Sequence, residues 1–318
     1  MSERSREDWS EAFAPASVGN VAVGFDLMGH ALKGAGDRAR VRRSKEAGVR
    51  VLSVTGVVTD LPLGADRNTA AAALQAMCEG LGLSTGFELE LEKGVPLGSG
   101  LGGSGASAAA AVVAANALLD EPMSVEELFP FALRGEEAAT GAACVDNVAP
   151  ALAGGLVFVP PGEPHRLVKV SVPKNLWCAV ARADLVIETR ATRAALEEPW
   201  GLDVIVAQTA RLAGVIAGCQ VGDFDLLRRS LEDVLVEPRR ADLVPGFREA
   251  KQAALDAGAL GASLSGSGPA VFAWCEGEAA AAEVCEVLKG ALGDSGVEGF
   301  TSPVDAPGAR LLGRRDDQ

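Results

Sequence analysis

A glycine-rich segment, residues 96–105, has the composition of a loop that binds an anion. Five of its ten residues are glycine, and it lies between an expected strand and an expected helix. Glycines let backbone N–H groups converge on an anion, and the N-terminus of a helix adds partial positive charge. The pattern therefore predicts a phosphate-binding loop formed by Pro96, Leu97, Gly98, Ser99, Gly100, Leu101, Gly102, Gly103, Ser104 and Gly105.

The glycine pattern alone leaves several interpretations to weigh. A Walker A loop requires a lysine directly after the glycines, and this segment has none. A dinucleotide-binding fingerprint is present at Gly98, Gly100 and Gly103, but that motif follows a fully buried strand. The strand before this loop, residues 86–93, carries glutamate at every second position and therefore has one solvated face. A phosphate loop of another kind and a loop that uses glycine only for tight turns stay open.

Composition and charge limit the classes of partner. The chain has 318 residues, with 29 Lys and Arg against 43 Asp and Glu, a net charge of −14. Such an acidic surface repels nucleic acid, and two histidines are too few for a histidine-based metal site. Six cysteines without a C-x-x-C pair, and an N-terminus unlike a signal peptide, predict a cytoplasmic protein. The longest apolar stretch, residues 106–119, is too short to span a bilayer, so no membrane association is expected.

The hydrophobic pattern predicts an α+β protein with two lobes. In the first half we expect strands at 12–18, 39–43, 49–58 and 86–93, and helices at 69–79, 106–119 and 125–140. Asn68 is the expected cap of the first helix, and Ser124 with Glu127 forms a capping box for the third. The alternation in 86–93 predicts membership of an antiparallel or mixed sheet.

A proline-rich turn at 160–164 is the expected border between the lobes. The N-terminal lobe is then 1–160, the C-terminal lobe 161–310 and a loose charged tail 311–318, with looseness expected from Arg310 onward. The strand at 176–181 is compatible with either lobe. The other elements expected in the second half are helices near 189–197, 203–218, 223–235, 245–257 and 278–292, two strands around 266–269, and a last strand near 296–302.

Three glycine-containing motifs occur in order along the chain, at residues 14–26, 96–104 and 263–272. Together they resemble motifs of the GHMP small-molecule kinases, a family that includes galactokinase, mevalonate kinase and homoserine kinase. Residues 14–26 resemble the family's N-terminal substrate-side motif, the loop 96–104 its ATP-phosphate loop, and residues 263–272 its C-terminal glycine loop. The resemblance implies an N-terminal lobe of the ribosomal-protein-S5-domain-2-like type and a ferredoxin-like C-terminal lobe. It also implies that the chain uses ATP and Mg²⁺.

Three further motifs are Asp-Asn-Val-Ala-Pro at 146–150, Thr189-x-x-x-Arg193, and Glu-Pro-x-Arg at 237–240. They resemble motifs of the homoserine kinase branch of that family. The resemblance implies ATP-dependent phosphorylation of the side-chain hydroxyl of L-homoserine to O-phospho-L-homoserine, in threonine biosynthesis. Another GHMP kinase of the mevalonate or sugar type and a non-catalytic relative are the alternatives, and a homodimer is left open.

The same resemblance assigns functions to individual residues. Arg193 and Arg240 would bind the substrate carboxylate, which planar guanidinium groups suit, and Asp26 would meet the ammonium. The other implied substrate contacts are Asn20, Asn147 and Thr189, and the implied Mg²⁺ ligands are Ser104 and Glu136. Asn147, Glu136 and Ser104 are the expected catalytic residues, with no general base assigned. Which of Arg239 and Arg240 points inward stays open at this stage.

Two positions depart from the family pattern. The family usually has two serines after Gly-Leu-Gly, whereas this chain has Gly103 before Ser104. The family often has histidine two residues before the Asp of Asp-Asn-Val-Ala-Pro, whereas this chain has Cys144. We expect altered phosphate contacts at the first position and no essential function for Cys144, because phosphoryl transfer depends mainly on positioning.

Overall fold

The computed structural model of this chain describes residues 9–141, 143–162, 166–185, 196, 198–293 and 296–312. Its strands are β1 (Ser10–Gly19), β2 (Met28–Arg43), β3 (Val49–Gly56), β4 (Phe87–Lys93), β5 (Leu156–Phe158), β6 (Val168–Val170), β7 (Leu176–Arg182), β8 (Gly261–Leu264), β9 (Ala270–Glu276), β10 (Glu298–Pro303) and β11 (Arg310–Leu311). Its helices are α1 (Thr69–Gly80), α2 (Gly103–Asn116), α3 (Val125–Thr140), α4 (Val145–Ala153), α5 (Leu202–Val221), α6 (Phe224–Ser230), α7 (Glu237–Arg240), α8 (Phe247–Asp256) and α9 (Glu278–Leu292).

The first sheet carries the glycine-rich loop and has the order β11-β1-β2-β4-β3, with β5 paired to β2 and β6. Only the β3–β4 pairing among these is parallel, so the mixed sheet expected from the alternation of β4 is confirmed. Phe87, Leu89 and Leu91 of β4 are buried under α1 and α2, whereas Glu90 lies opposite Arg40 on the outer face. The apolar face of β4 thus packs against the helices, and the end of the strand leads into the glycine-rich loop that precedes α2.

The second sheet is antiparallel throughout, in the order β10-β7-β9-β8, and α8 and α9 pack against it. Strand β7, which the sequence left with either lobe, belongs to this sheet. Strands β6 and β11 join the first sheet although they follow the expected border at 160/161. The border itself stays a prediction.

Helix starts follow the expected capping chemistry. The Asn68 side chain accepts the Ala71 N–H at 3.2 Å, and the capping box of Ser124 and Glu127 opens α3. The helix expected at 223–235 ends earlier, at Ser230, because the Asp233 carboxylate binds the backbone N–H groups that follow it. The helix expected near 189–197 lies, apart from residue 196, outside the described residues.

The start of the charged tail is ordered, contrary to expectation. Arg310 and Leu311 pair with β1, and the Leu312 N–H donates to the Glu11 carbonyl at 2.8 Å. The Arg310 guanidinium also lies 4.5 Å from the centre of the Phe13 ring. A cation–π contact and strand pairing therefore bind a segment whose charged composition indicated a loose tail.

Helix α5 is the one helix in the described part of the chain that is long and apolar enough to cross a membrane. This criterion considers only length and composition, and the core helix of a soluble protein also satisfies it. One polar side chain of α5, Gln208, is buried and donates to the Val23 carbonyl at 3.3 Å. α5 therefore packs beside the turn that follows β1.

A buried histidine connects the two sheets. His30 of β2 is fully buried, and the indole N–H of Trp274 on β9 donates to its Nε2 over 3.3 Å. Because Nε2 accepts, the proton of the neutral ring is on Nδ1, which lies 2.9 Å from the Ala31 carbonyl oxygen. Burial lowers the pKa of His30 to about 4.

This histidine is expected to make the protein less stable in mild acid. The unfolded chain takes up a proton on His30 near pH 6.5 and the folded chain only near pH 4. The free energy of unfolding should therefore lose up to about 3 kcal/mol from this group as pH falls from 6.5 to 4. Urea denaturation of the wild type and His30→Gln across that range isolates the effect from other titrating groups. Parallel stability curves for the two proteins would contradict it.

Candidate active site

The glycine-rich loop lies between the two sheets and contacts both. Gly100 and Gly102 have φ angles of +77° and +64°, in the left-handed region. A Cβ at Gly100 would lie 2.7 Å from the Ser265 carbonyl oxygen, and one at Gly102 would lie 2.2 Å from Ser17 Oγ. The Ser265 hydroxyl donates to the Gly100 carbonyl at 2.6 Å. Glycine is thus required at both positions by backbone conformation and by the close approach of neighbours.

The loop leads directly into α2, which begins at Gly103, three residues before the predicted start at residue 106. The N–H groups at the start of a helix have no acceptor within the helix, so those of Gly103, Ser104 and Gly105 suit an anion. The first N–H bonded along the helix is that of Ala106, which donates to the Gly102 carbonyl at 2.9 Å. This strand–loop–helix arrangement could hold a phosphate group at the N-terminus of α2.

Ser104 and Glu136 bring a hydroxyl and a carboxylate together beside the loop. The Ser104 hydroxyl donates to Glu136 Oε1 at 2.8 Å, and Thr69 donates to the Ser104 carbonyl at 3.2 Å. Glu136 is only 3% exposed, and this burial raises its pKa to about 7, although the bond from Ser104 acts in the opposite direction. A buried carboxylate beside a hydroxyl, next to a phosphate-binding helix terminus, suits a hard divalent cation.

Asn147, at the start of α4, has its amide orientation fixed by two neighbours. The Ser17 hydroxyl donates to Asn147 Oδ1 at 3.0 Å, and Asn147 Nδ2 donates to Asp146 Oδ1 at 3.3 Å. The other Asp146 oxygen accepts the backbone N–H of Asn20 at 3.0 Å. Sequence reasoning did not select Ser17 or Asp146, although both lie inside motifs that it did select.

The turn after β1 is strained and lies at the centre of the site. Asn20, Val21 and Ala22 have φ angles of +68°, +43° and +58°, a conformation that costs non-glycine residues about 1–3 kcal/mol each. The Asn20 side chain accepts the Asp26 N–H and donates to the Gly266 carbonyl, each at 3.0 Å. One hydrogen bond within the turn and another to Gly266, between β8 and β9, therefore hold this strained backbone.

Arg240 is the inward-facing arginine of α7. It is 3% exposed, its Nη1 donates to the Gly266 carbonyl at 3.3 Å, and its guanidinium lies 5.2 Å from the Phe25 ring centre. Arg239 points outward, stacks 3.8 Å from the Trp200 ring centre and donates to a backbone carbonyl beside it. Arg240 and Asn20 both donate to the carbonyl of Gly266. Of the two neighbouring arginines, Arg240 is therefore the one that points inward.

Two buried carboxylates, to which the sequence analysis assigned no function, hold α7 in place. Asp233 accepts the backbone N–H groups of Leu235, Val236 and Glu237 at 2.8–2.9 Å. Glu237 pairs with Lys251 and accepts the Ser263 hydroxyl at 2.5 Å. Burial raises the pKa of both carboxyls, against the hydrogen bonds that lower it. This network fixes the helix that carries Arg240.

Not every predicted residue is placed. Thr189 and Arg193 lie outside the described residues. Cys144 is the partly exposed residue immediately before α4. No group of three or more His, Cys, Asp or Glu side chains suited to a metal occurs among the residues that the structure describes. A cation bound by Ser104 and Glu136 would therefore need further oxygen ligands from phosphates and water.

Comparison with known proteins identifies the family of this chain. The family models "GHMP kinases N terminal domain" and "GHMP kinases C terminal" match residues 68–155 and 215–294. The homoserine kinase of Xanthomonas campestris pv. campestris is 50% identical over 305 residues, covering 95% of this chain and 94% of that protein. This chain belongs to the homoserine kinase family of GHMP kinases. A homoserine kinase from Chloroherpeton thalassium is 38% identical, covering 94% of this chain and 98% of that protein.

The fold of this chain is also similar to that of solved structures. The crystal structure of homoserine kinase from Cytophaga hutchinsonii matches with a TM-score of 0.92 and 41% identity, covering 98% of this chain and 100% of that one. Mevalonate kinase from L. major matches with a TM-score of 0.68 at 17% identity, covering 93% and 95% of the two chains, which shows a common fold alone. The predicted α+β GHMP-kinase fold is confirmed.

Proposed function

We propose that this chain transfers the γ-phosphoryl group of ATP to the side-chain hydroxyl of L-homoserine, giving O-phospho-L-homoserine for threonine biosynthesis. Membership of the GHMP kinases supports ATP as the phosphoryl donor. The observation that carries the substrate class is the buried guanidinium of Arg240 beside Asn20 and Gly266, next to the phosphate loop. A buried cation at that place suits a carboxylate, which sugars lack. Mevalonate also has a carboxylate, and against mevalonate the amino acid is favoured by the similarity to homoserine kinases.

The chain's own residues account for catalysis by positioning. Phosphoryl transfer has a loose transition state, so alignment and charge neutralisation contribute most of the rate enhancement. The loop and the first turn of α2 would bind the triphosphate, and Asn147 would orient the substrate hydroxyl. That hydroxyl oxygen bonds to the γ-phosphorus as the bond to ADP breaks. The hydroxyl keeps its proton until late in the reaction and then releases it to a phosphoryl oxygen or to water, so orientation of the hydroxyl matters more than a strong base.

Mg²⁺ belongs to the same proposal. Ser104 and Glu136 offer hydroxyl and carboxylate oxygens 2.8 Å apart, the ligand type that Mg²⁺ prefers. Bound there, the ion would neutralise charge on the β- and γ-phosphates.

A cytoplasmic location is also proposed. All six cysteines are free thiols, as is usual for proteins of a reducing compartment.

A substrate panel tests the proposed function. ADP release should be rapid with L-homoserine and at least about 100-fold slower in kcat/KM with 1,4-butanediol, which lacks the carboxylate and the ammonium group. Mevalonate and galactose serve as further comparisons in the same coupled assay. Equal turnover of butanediol would overturn the amino-acid assignment, and faster turnover of mevalonate or galactose would favour another branch of the family.

A further inference from the structure

A buried lysine lies directly under the phosphate loop. Lys93, the last residue of β4, is 2% exposed, and its ammonium pairs with the carboxylate of Asp37 on β2. The same ammonium donates to the Gly103 carbonyl at 2.9 Å and to Ser107 Oγ at 2.8 Å. Lys93 thus contacts β2 and the first turn of α2 at the same time. Neither the family motifs nor the alternation of β4 selected it.

Asp37 completes the network on the other side of the loop. Its Oδ1 accepts the N–H groups of Gly94 and Val95 at 2.9 and 3.1 Å, and its Oδ2 accepts the Ser107 hydroxyl at 2.6 Å. Residues 94–95 enter the loop and residues 103–107 leave it. A single ion pair therefore holds both ends of the phosphate loop against β2.

Stability alone does not account for this pair. Burying two charges costs several kcal/mol per ion, and replacing such pairs by apolar residues is often neutral or stabilising. Asp37 is fully buried, so its carboxylate has lost its contact with water. The hydrogen bonds of the pair instead fix the position of the backbone on both sides of the loop.

We propose that the Lys93–Asp37 pair is a positioning device that sets the phosphate loop for nucleotide binding. This inference rests on the proposed function, since it concerns the binding of ATP by the same loop. Lys93 acts through the Gly103 carbonyl and is not itself a catalytic residue. In phosphoryl transfer, a displacement of about 1 Å in the groups that position the substrate can cost about 100-fold in rate.

The network also gives a physical reason for Gly103, where the family usually has serine. A Cβ on Gly103 would lie 2.9 Å from Val95 Cγ1 and 3.5 Å from Lys93 Nζ. The first contact is closer than real Cβ atoms adopt. Glycine therefore lets the first turn of α2 lie directly on Lys93 and Val95.

Variants that remove the network without leaving a lone buried charge test the proposal. The double variant Asp37→Asn/Lys93→Met removes both charges, and Ser107→Ala removes one hydroxyl and is the milder change. We expect the double variant to raise KM for ATP about tenfold or more and to lower kcat about 100-fold. Ser107→Ala should raise KM for ATP about threefold to tenfold. The Kd of L-homoserine, measured by calorimetry without nucleotide, should stay within about twofold of the wild type.

A control on the same strand separates positioning from structure. Glu88→Gln breaks the pairs with Arg42 and Arg50 at the other end of β4, and should leave KM for ATP unchanged. Wild-type KM for ATP in Ser107→Ala, or in a folded double variant, would overturn the proposal. An equal loss of homoserine affinity would also overturn it, because it would indicate general damage. Titration with a fluorescent ATP analogue keeps this test independent of whether homoserine is the substrate.

Discussion

Replacing Glu136 by glutamine is expected to abolish most activity while making the protein more stable. Glutamine keeps the shape of the side chain but removes a negative charge beside Ser104, where Mg²⁺ is proposed to bind. We expect kcat to fall at least about 100-fold at saturating Mg²⁺ and both substrates, because charge neutralisation at the phosphates is lost. A coupled assay of ADP release measures this directly.

The stability change has a sign that follows from the raised pKa of Glu136. Its pKa is about 7 in the folded protein and 4.5 in the unfolded chain, so the folded state binds this proton more tightly. The contribution is favourable below pH 4.5 and is lost as pH rises through 7. Glu136→Gln should therefore gain up to about 3 kcal/mol in free energy of unfolding at pH 8 and little at pH 4.5.

Glu137 supplies the matched control for both parts of this prediction. It is the next residue of α3, and it is exposed. Glu137→Gln should change kcat by less than about twofold and stability by less than about 0.5 kcal/mol at either pH. Near-normal turnover by Glu136→Gln at saturating Mg²⁺ would show that this carboxylate does not serve the reaction.

Replacing Arg240 by glutamine is expected to raise KM for L-homoserine about 100-fold or more. The change removes a buried guanidinium that is proposed to bind the substrate carboxylate, and charge-assisted bonds of that kind are the strong ones. KM for ATP should stay within about twofold, because the phosphate loop is untouched. The low turnover of 1,4-butanediol should also be unchanged, since that alcohol has no carboxylate.

Arg239→Gln is the control for this second prediction. Its guanidinium faces outward onto Trp200, so its loss should leave KM for homoserine within about twofold of the wild type. Steady-state kinetics with homoserine as the varied substrate distinguish the two arginines. Similar KM values for Arg240→Gln and the wild type would show that Arg240 does not bind the substrate carboxylate. The proposed substrate class would then lose its structural support.

The parts of this site that sequence reasoning found are those encoded locally. The glycines of the loop, the cap at Asn68 and the alternation of β4 each depend on residues within a few positions of one another. Their physical causes are backbone conformation, orphan N–H groups at helix starts and the two faces of a strand. Such causes can be predicted before any tertiary contact is known.

The parts it missed depend on contacts between distant segments. Ser17 and Asn147 are 130 positions apart, and Asp37 and Lys93 are 56 apart, so nothing local indicates either pair. The pattern of β4 predicts that side chains alternate, but not that the lysine at its end is buried. Only the topology of the first sheet brings Asp37 to that place.

Identification of the product decides whether this chain phosphorylates the hydroxyl of L-homoserine. The full-length chain is incubated with ATP, Mg²⁺ and L-homoserine, and the products are followed by phosphorus NMR with proton coupling. We expect a phosphomonoester signal that is split by the two protons of one CH₂ group, with the ester formed in equal amounts with ADP. Free phosphate with ADP and no such ester, or no consumption of ATP while mevalonate or galactose is phosphorylated, would contradict it.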